Sequence, residues 1–175
     1  MSEKPSVVMV AASLLAAGGA LFTAEVLLSA KRYFTGMAVY EQAIADGLIR
    51  NDMAWSAFGV AAHLVPAAIG VLIGAGLVFL AFFTGLGHNW ARAVGWMLGF
   101  PVLLWYGVLG VLHAALPSAA GTVDPPELAR RLERAWPDWY TTLDVTLMVV
   151  VPLVLVTALV CQTVPRADSY FRQPA

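Results

Sequence analysis

The sequence predicts an all-α integral membrane protein, a four-transmembrane-helix up-down bundle with short amphipathic surface helices in its two large loops. Three observations carry that expectation. Of the 175 residues, 60% are hydrophobic and 12% charged, against about 25% charged in an ordinary soluble domain. Mean hydropathy is +0.77. Four apolar runs, at about 7–30, 54–83, 93–116 and 140–164, are each long enough to cross a hydrocarbon core of about 30 Å. Lipid offers no partner to open strand edges, so runs of this length are expected to be helices. The chain reads as a single four-span domain.

The first run is too long for the apolar core of a signal peptide, and Glu25 interrupts it, so it is expected to be a retained span. It is expected to end at Lys31-Arg32, with Tyr33 and Phe34 as interfacial aromatics. Residues 35–53 read as a polar connection holding a short surface helix at 40–46, stopped by Asp46-Gly47. The second span begins near Trp55 and is rich in small residues. Gly70 and Gly74 form a GxxxG pair, a spacing that lets helix backbones approach closely in lipid. Pro66 is expected to bend it.

A break at Leu86-Gly87-His88-Asn89-Trp90 leads into the third span, which carries Gly95, Gly99 and Pro101, with Trp96, Trp105 and Tyr106 as bulk. The hairpin of spans two and three is the expected organising element. Residues 127–136 place Leu128, Leu132 and Trp136 on one helical face and mostly charges on the other, the pattern of a helix resting on the bilayer surface. Pro137 and Asp138 suit the first turn of the fourth span, and Trp139 and Tyr140 mark an interface. The tail at 165–172 is a basic and aromatic membrane exit.

Function classes narrow quickly. The single Cys161 excludes an intrachain disulfide, a CxxC pair and a thiolate-rich zinc site. Net charge is −1 and no basic tract suits nucleic acid. No hydrolase triad, phosphate loop or nucleotide fingerprint occurs.

Chemistry is therefore sought in the spans, where an ionisable residue costs several kcal/mol unless paired. There are four, one per span: Glu25, His63, His113 and Asp144. His63 precedes His88 by 25 residues and His113 follows it by 25. At about 1.5 Å per residue, antiparallel helices would carry both imidazoles to a similar depth. Up-down threading brings Glu25 and Asp144 near the same level, as in bundles that house an internal site. Three readings follow. The four side chains ligate a transition metal such as zinc, iron or copper. Alternatively, His63 and His113 bind a b-type haem, with Gly59 and Gly110 leaving room for it. In the third, the four groups form a structural or proton-handling network. His88, in the turn, reads as an exposed interfacial residue.

The Pro-x-Trp-Tyr start at 137–140 and the Arg-x-x-x-Tyr-Phe-Arg end at 166–172 resemble those of small four-span membrane proteins of high-GC bacteria. The likeness covers the last quarter of the chain and implies no activity. The expected role is an integral subunit or accessory protein of a larger complex in the bacterial cytoplasmic (inner) membrane, with lipid and other membrane subunits as partners. The alternative is a small redox or metal enzyme, or a cytochrome-like subunit. Both termini are expected in the cytoplasm. A raw Lys/Arg count favours the reverse, but the large-loop arginines sit among acidic residues while the tail charges hug the membrane.

Overall fold

The computed structural model describes residues 6–48, 57–115 and 126–171. All regular structure among them is helical: α1 (Ser6–Ala45), α2 (Ala57–Gly85), α3 (Asn89–Ala115), α4 (Pro126–Ala135), α5 (Asp138–Cys161) and α6 (Pro165–Phe171). Four of these, α1, α2, α3 and α5, are long and apolar enough to cross a membrane. Pro66, Pro101 and Pro152 sit inside α2, α3 and α5.

The largest departure from the sequence reading is α1. It does not stop at Lys31-Arg32, and residues 40–46 are not a separate surface helix. One helix of 40 residues runs from Ser6 to Ala45, about 60 Å at 1.5 Å per residue. Charge alone does not break a helix. Met37, Ala38, Tyr40, Glu41, Gln42 and Ala43 contain no proline and are mostly good helix formers. The stop comes at Gly47, whose φ of +69° suits a residue without a Cβ. There the Leu48 N–H reaches the Ala43 carbonyl and the Gly47 N–H reaches that of Ile44, the bond pair of a Schellman cap. Gly87, at φ +86°, closes α2 in the same way, with His88 N–H donating to Phe83 and Gly87 N–H to Thr84.

The organising element is likewise α1 rather than the α2–α3 hairpin. It packs most extensively on α2, then on α5, and also meets α4 and α6, whereas α3 packs on α2 and α5. Leu15 and Phe22 of α1, Leu77 and Leu80 of α2, Val102 and Tyr106 of α3, and Leu147, Val151 and Leu155 of α5 form one buried core.

Small residues set the α1–α2 distance. A Cβ at Gly19 would lie 2.7 Å from the Gly74 carbonyl oxygen, and one at Gly70 would lie 2.8 Å from a Val26 methyl. The GxxxG pair of α2 is thus used inside the chain, against α1. Thr23 spends its hydroxyl on the Gly19 carbonyl at 2.9 Å, one turn back in its own helix.

The two ends of the helical assembly differ. At one end, Val8 of α1 is buried against Ala167 and Phe171 of α6. Arg92, at the start of α3, pairs with Asp168 at 2.7 Å and lies over the Phe171 ring. The α2–α3 turn is at this end, and His88 is half-buried between Phe83 and Trp90 rather than exposed. At the other end α4 lies along the continuation of α1, with Arg131 meeting Asp46 at 2.5 Å. Trp136 and Leu132 pack by Gly36.

Candidate functional site

Phe22, Glu25, Leu28 and Arg32 follow one another at steps of three and four residues, so α1 presents them on one face. Tyr140, Asp144 and Leu147 share a face of α5 by the same rule. The packing of α1 on α5 sets these faces together. The Arg32 guanidinium contacts the Asp144 carboxylate at 3.2 Å and lies over the rings of Trp136 and Tyr140, 5.6 and 5.8 Å from their centroids. The Tyr140 hydroxyl donates to the Leu28 carbonyl at 2.7 Å.

Tyr106 comes from α3. Its ring is buried, 6.2 Å from that of Phe22 and edge-on to it, and its hydroxyl donates to the Glu25 carboxylate. Glu25 is also close enough to Asp144 for the two carboxylates to interact electrostatically. Glu25 and Asp144 are thus within electrostatic reach of each other. Among the described residues, a phenol and a guanidinium from neighbouring helices meet them.

His63 lies on α2 and His113 on α3, but both side chains fall outside the described residues, as does the environment of Gly59 and Gly110. The expected imidazole pair, its metal and its haem alternative therefore lie outside the described residues too. Among the described residues, no three His, Cys, Asp or Glu side chains come together in a group able to hold a metal ion. Glu25 and Asp144 by themselves are two carboxylates of such a set.

Comparison with known proteins decides nothing further. No protein-family model, curated protein or solved structure gives a significant match to this chain. The site must be read from its own chemistry. A carboxylate, a phenol and a second carboxylate within electrostatic reach can hold a proton, and the same contacts tie α3 and α5 to α1.

Sequence reasoning missed the partners rather than the carboxylates. Tyr106 read only as bulk and Arg32 only as the end of a span. A signal was present for Arg32, since it follows Glu25 by seven residues and so shares its face. None was present for Tyr106, because its link to Glu25 joins residues 81 apart. A second polar cluster, at the other end, was also missed. Arg92 there joins Asp168 and the Gln162 carbonyl. The Gln162 amide and the Thr84 hydroxyl are fully buried with no hydrogen-bond partner among the described residues.

Proposed function

We propose that this chain is a multi-pass integral membrane protein, a four-span up-down bundle of the bacterial cytoplasmic membrane, that serves as a subunit or accessory protein of a larger membrane assembly. One observation carries the reading. Each carboxylate of the polar layer is engaged by a residue on another helix of the same chain, Glu25 by Tyr106 and Asp144 by Arg32. Groups used in this way offset the cost of a charge in lipid and fix helix positions.

The surface supports the membrane part. Leu72 of α2, Met97 of α3 and Leu153 of α5 are 71%, 73% and 60% exposed, a disposition that suits lipid or a partner helix and is costly in water. Trp90 at one end and Trp139 at the other are exposed aromatics of the kind that settle at bilayer interfaces. The grouping of the α1 start, the α2–α3 turn and α6 at one end supports up-down threading.

The assembly is tested by tagging the protein at its native expression level, extracting it in mild detergent and sizing it on a native gel. Migration well above the purified chain is expected, and migration identical to it contradicts the subunit reading. Orientation is tested in a Cys161→Ser background. With both termini cytoplasmic, Thr122→Cys reacts with an impermeant thiol reagent in intact cells and Gln173→Cys does not. The reverse labelling inverts the orientation.

A second reading, a metal centre built on His63 and His113 with Glu25 and Asp144, is favoured by the proximity of the two carboxylates; its b-haem variant uses His63 and His113 alone.

A further inference from the structure

A cavity of about 540 Å³ opens where α1, α4 and α5 meet, lined by Arg32, Glu133, Trp136, Asp138 and Thr141 among others. Small-molecule sites typically measure ~300–1,000 Å³. Its charges are mixed. Arg32 is 54% exposed on its side chain and gives one nitrogen to Asp144, leaving other N–H donors of its five for a ligand. Glu133 and Asp138 are both exposed, and neither carboxylate is paired with another described side chain.

A purely anionic ligand would meet two carboxylates here, and a purely cationic one would meet the guanidinium. A zwitterion with a phosphate and a primary ammonium satisfies both. The phosphate would take the free Arg32 donors. The ammonium, with three N–H groups, would donate to Glu133 and Asp138.

The lining also says that the zwitterion carries a tail. From Thr141, in the cavity wall, the i+4 row of α5 continues through Val145, Val149 and Leu153, which are 59%, 54% and 60% exposed. The row turns its back on the buried Leu147, Val151 and Leu155. A polar pocket at the head of an exposed apolar track has the two halves of a phospholipid site. We propose that this cavity binds the headgroup of a phosphatidylethanolamine, with Arg32 on the phosphate, Glu133 and Asp138 on the ammonium, and an acyl chain along Val145, Val149 and Leu153. The proposal rests on the membrane embedding proposed above.

The test uses delipidated, detergent-purified full-length protein titrated with phosphatidylethanolamine, phosphatidylcholine, phosphatidylglycerol and soluble glycerophosphoethanolamine, read by native mass spectrometry and thermal shift. Phosphatidylethanolamine is expected to bind tightest, because choline has no N–H to donate and glycerol no charge for the carboxylates. Glu133→Gln with Asp138→Asn should weaken it about tenfold or more and remove most of its advantage over phosphatidylcholine. Glu133→Gln alone, on an exposed face of α4, should give part of that loss in a folded protein. Equal binding of the three lipids, or undiminished phosphatidylethanolamine binding by both variants, overturns the proposal. Binding of glycerophosphoethanolamine as tight as the lipid overturns the lipid assignment. Membrane fractionation keeps the two claims apart. Protein that fractionates with membranes but shows no lipid preference defeats this proposal alone, whereas protein free of membranes defeats the embedding.

Discussion

The Tyr106 hydroxyl donates a hydrogen bond to the Glu25 carboxylate, joining α3 to α1 at the margin of the core they share with α2 and α5. Both residues sit in helices apolar enough to cross a membrane, where a carboxylate without a partner is costly. Hydrogen bonds to charged groups contribute about 1.5–3 kcal/mol. Tyr106→Phe keeps the ring against Phe22 and removes only the donor. It should lower the melting temperature in detergent by several degrees. Combined with Glu25→Gln, the loss should fall short of the sum of the single losses, since both changes disturb one contact. Strict additivity would show that the two groups do not interact.

The α1–α2 contact makes a sharper steric prediction. A Cβ at Gly74 would meet the Thr23 hydroxyl and lie 2.9 Å from the Gly19 carbonyl. Backbone cannot yield as a side-chain tip can. Gly74→Leu should cost at least the ~1–3 kcal/mol of an overpacked core and lower the yield on extraction. Gly107→Ala, with open space around its Cβ inside α3, is the control and should not destabilise the protein, helix propensity adding about 0.5–1 kcal/mol. If Gly74→Leu melts no lower than the parent, α1 and α2 are not this close.

Much of this architecture was legible in the sequence. The four apolar runs became four long helices because their length and composition leave few alternatives. The amphipathic pattern of Leu128, Leu132 and Trp136 marked α4 for the same reason. The continuation of α1 past Arg32 was not legible from hydropathy. Hydropathy reports where a helix would leave lipid, whereas helix ends are set by caps, and the first cap is at Gly47. Glu25 and Asp144 stood out because charges are rare in such runs. Their partners did not, because rotation of one helix about its axis decides whether Tyr106 or Arg32 faces them, and span lengths carry no information on rotation.

The α1–α4 contact should respond to salt. The Asp46 carboxylate accepts from the Arg131 guanidinium and, with Glu127, holds it above its ordinary range. A raised pKa on a base means the contact is complete below the ordinary guanidinium value and is lost only above the raised one, so ordinary alkaline titration leaves Arg131 charged. Screening acts instead, because the pair is solvent-facing. Amide exchange across α4 should quicken between low and high salt in the parent and lose that salt dependence in Asp46→Asn. Equal salt dependence in both would show that Asp46 does not hold α4.

At the opposite end, Arg92 bridges α3 to α6 through Asp168 and to the end of α5 through the Gln162 carbonyl. The pair is more shielded than Asp46–Arg131, with about a quarter of each side chain exposed. Asp168→Asn should release α6 before the rest of the protein unfolds, so that a protease removes the C-terminal segment faster while the melting temperature changes little. Unchanged cleavage would show that the apolar contacts of Val8, Ala167 and Phe171 suffice.

The central reading proposed above is that contacts within the polar layer, Glu25 with Tyr106 and Asp144 with Arg32, tie helices together, with a metal or haem centre as the competing reading. It is tested most directly by elemental analysis and a visible absorption spectrum of the protein purified from its membrane, for the parent and for Glu25→Gln, His63→Ala and His113→Ala. The account predicts no stoichiometric metal and no Soret band in any of the four, with Glu25→Gln less stable than the parent. One metal ion per chain, or a Soret band, that disappears on loss of either histidine would contradict it and establish a centre on His63 and His113.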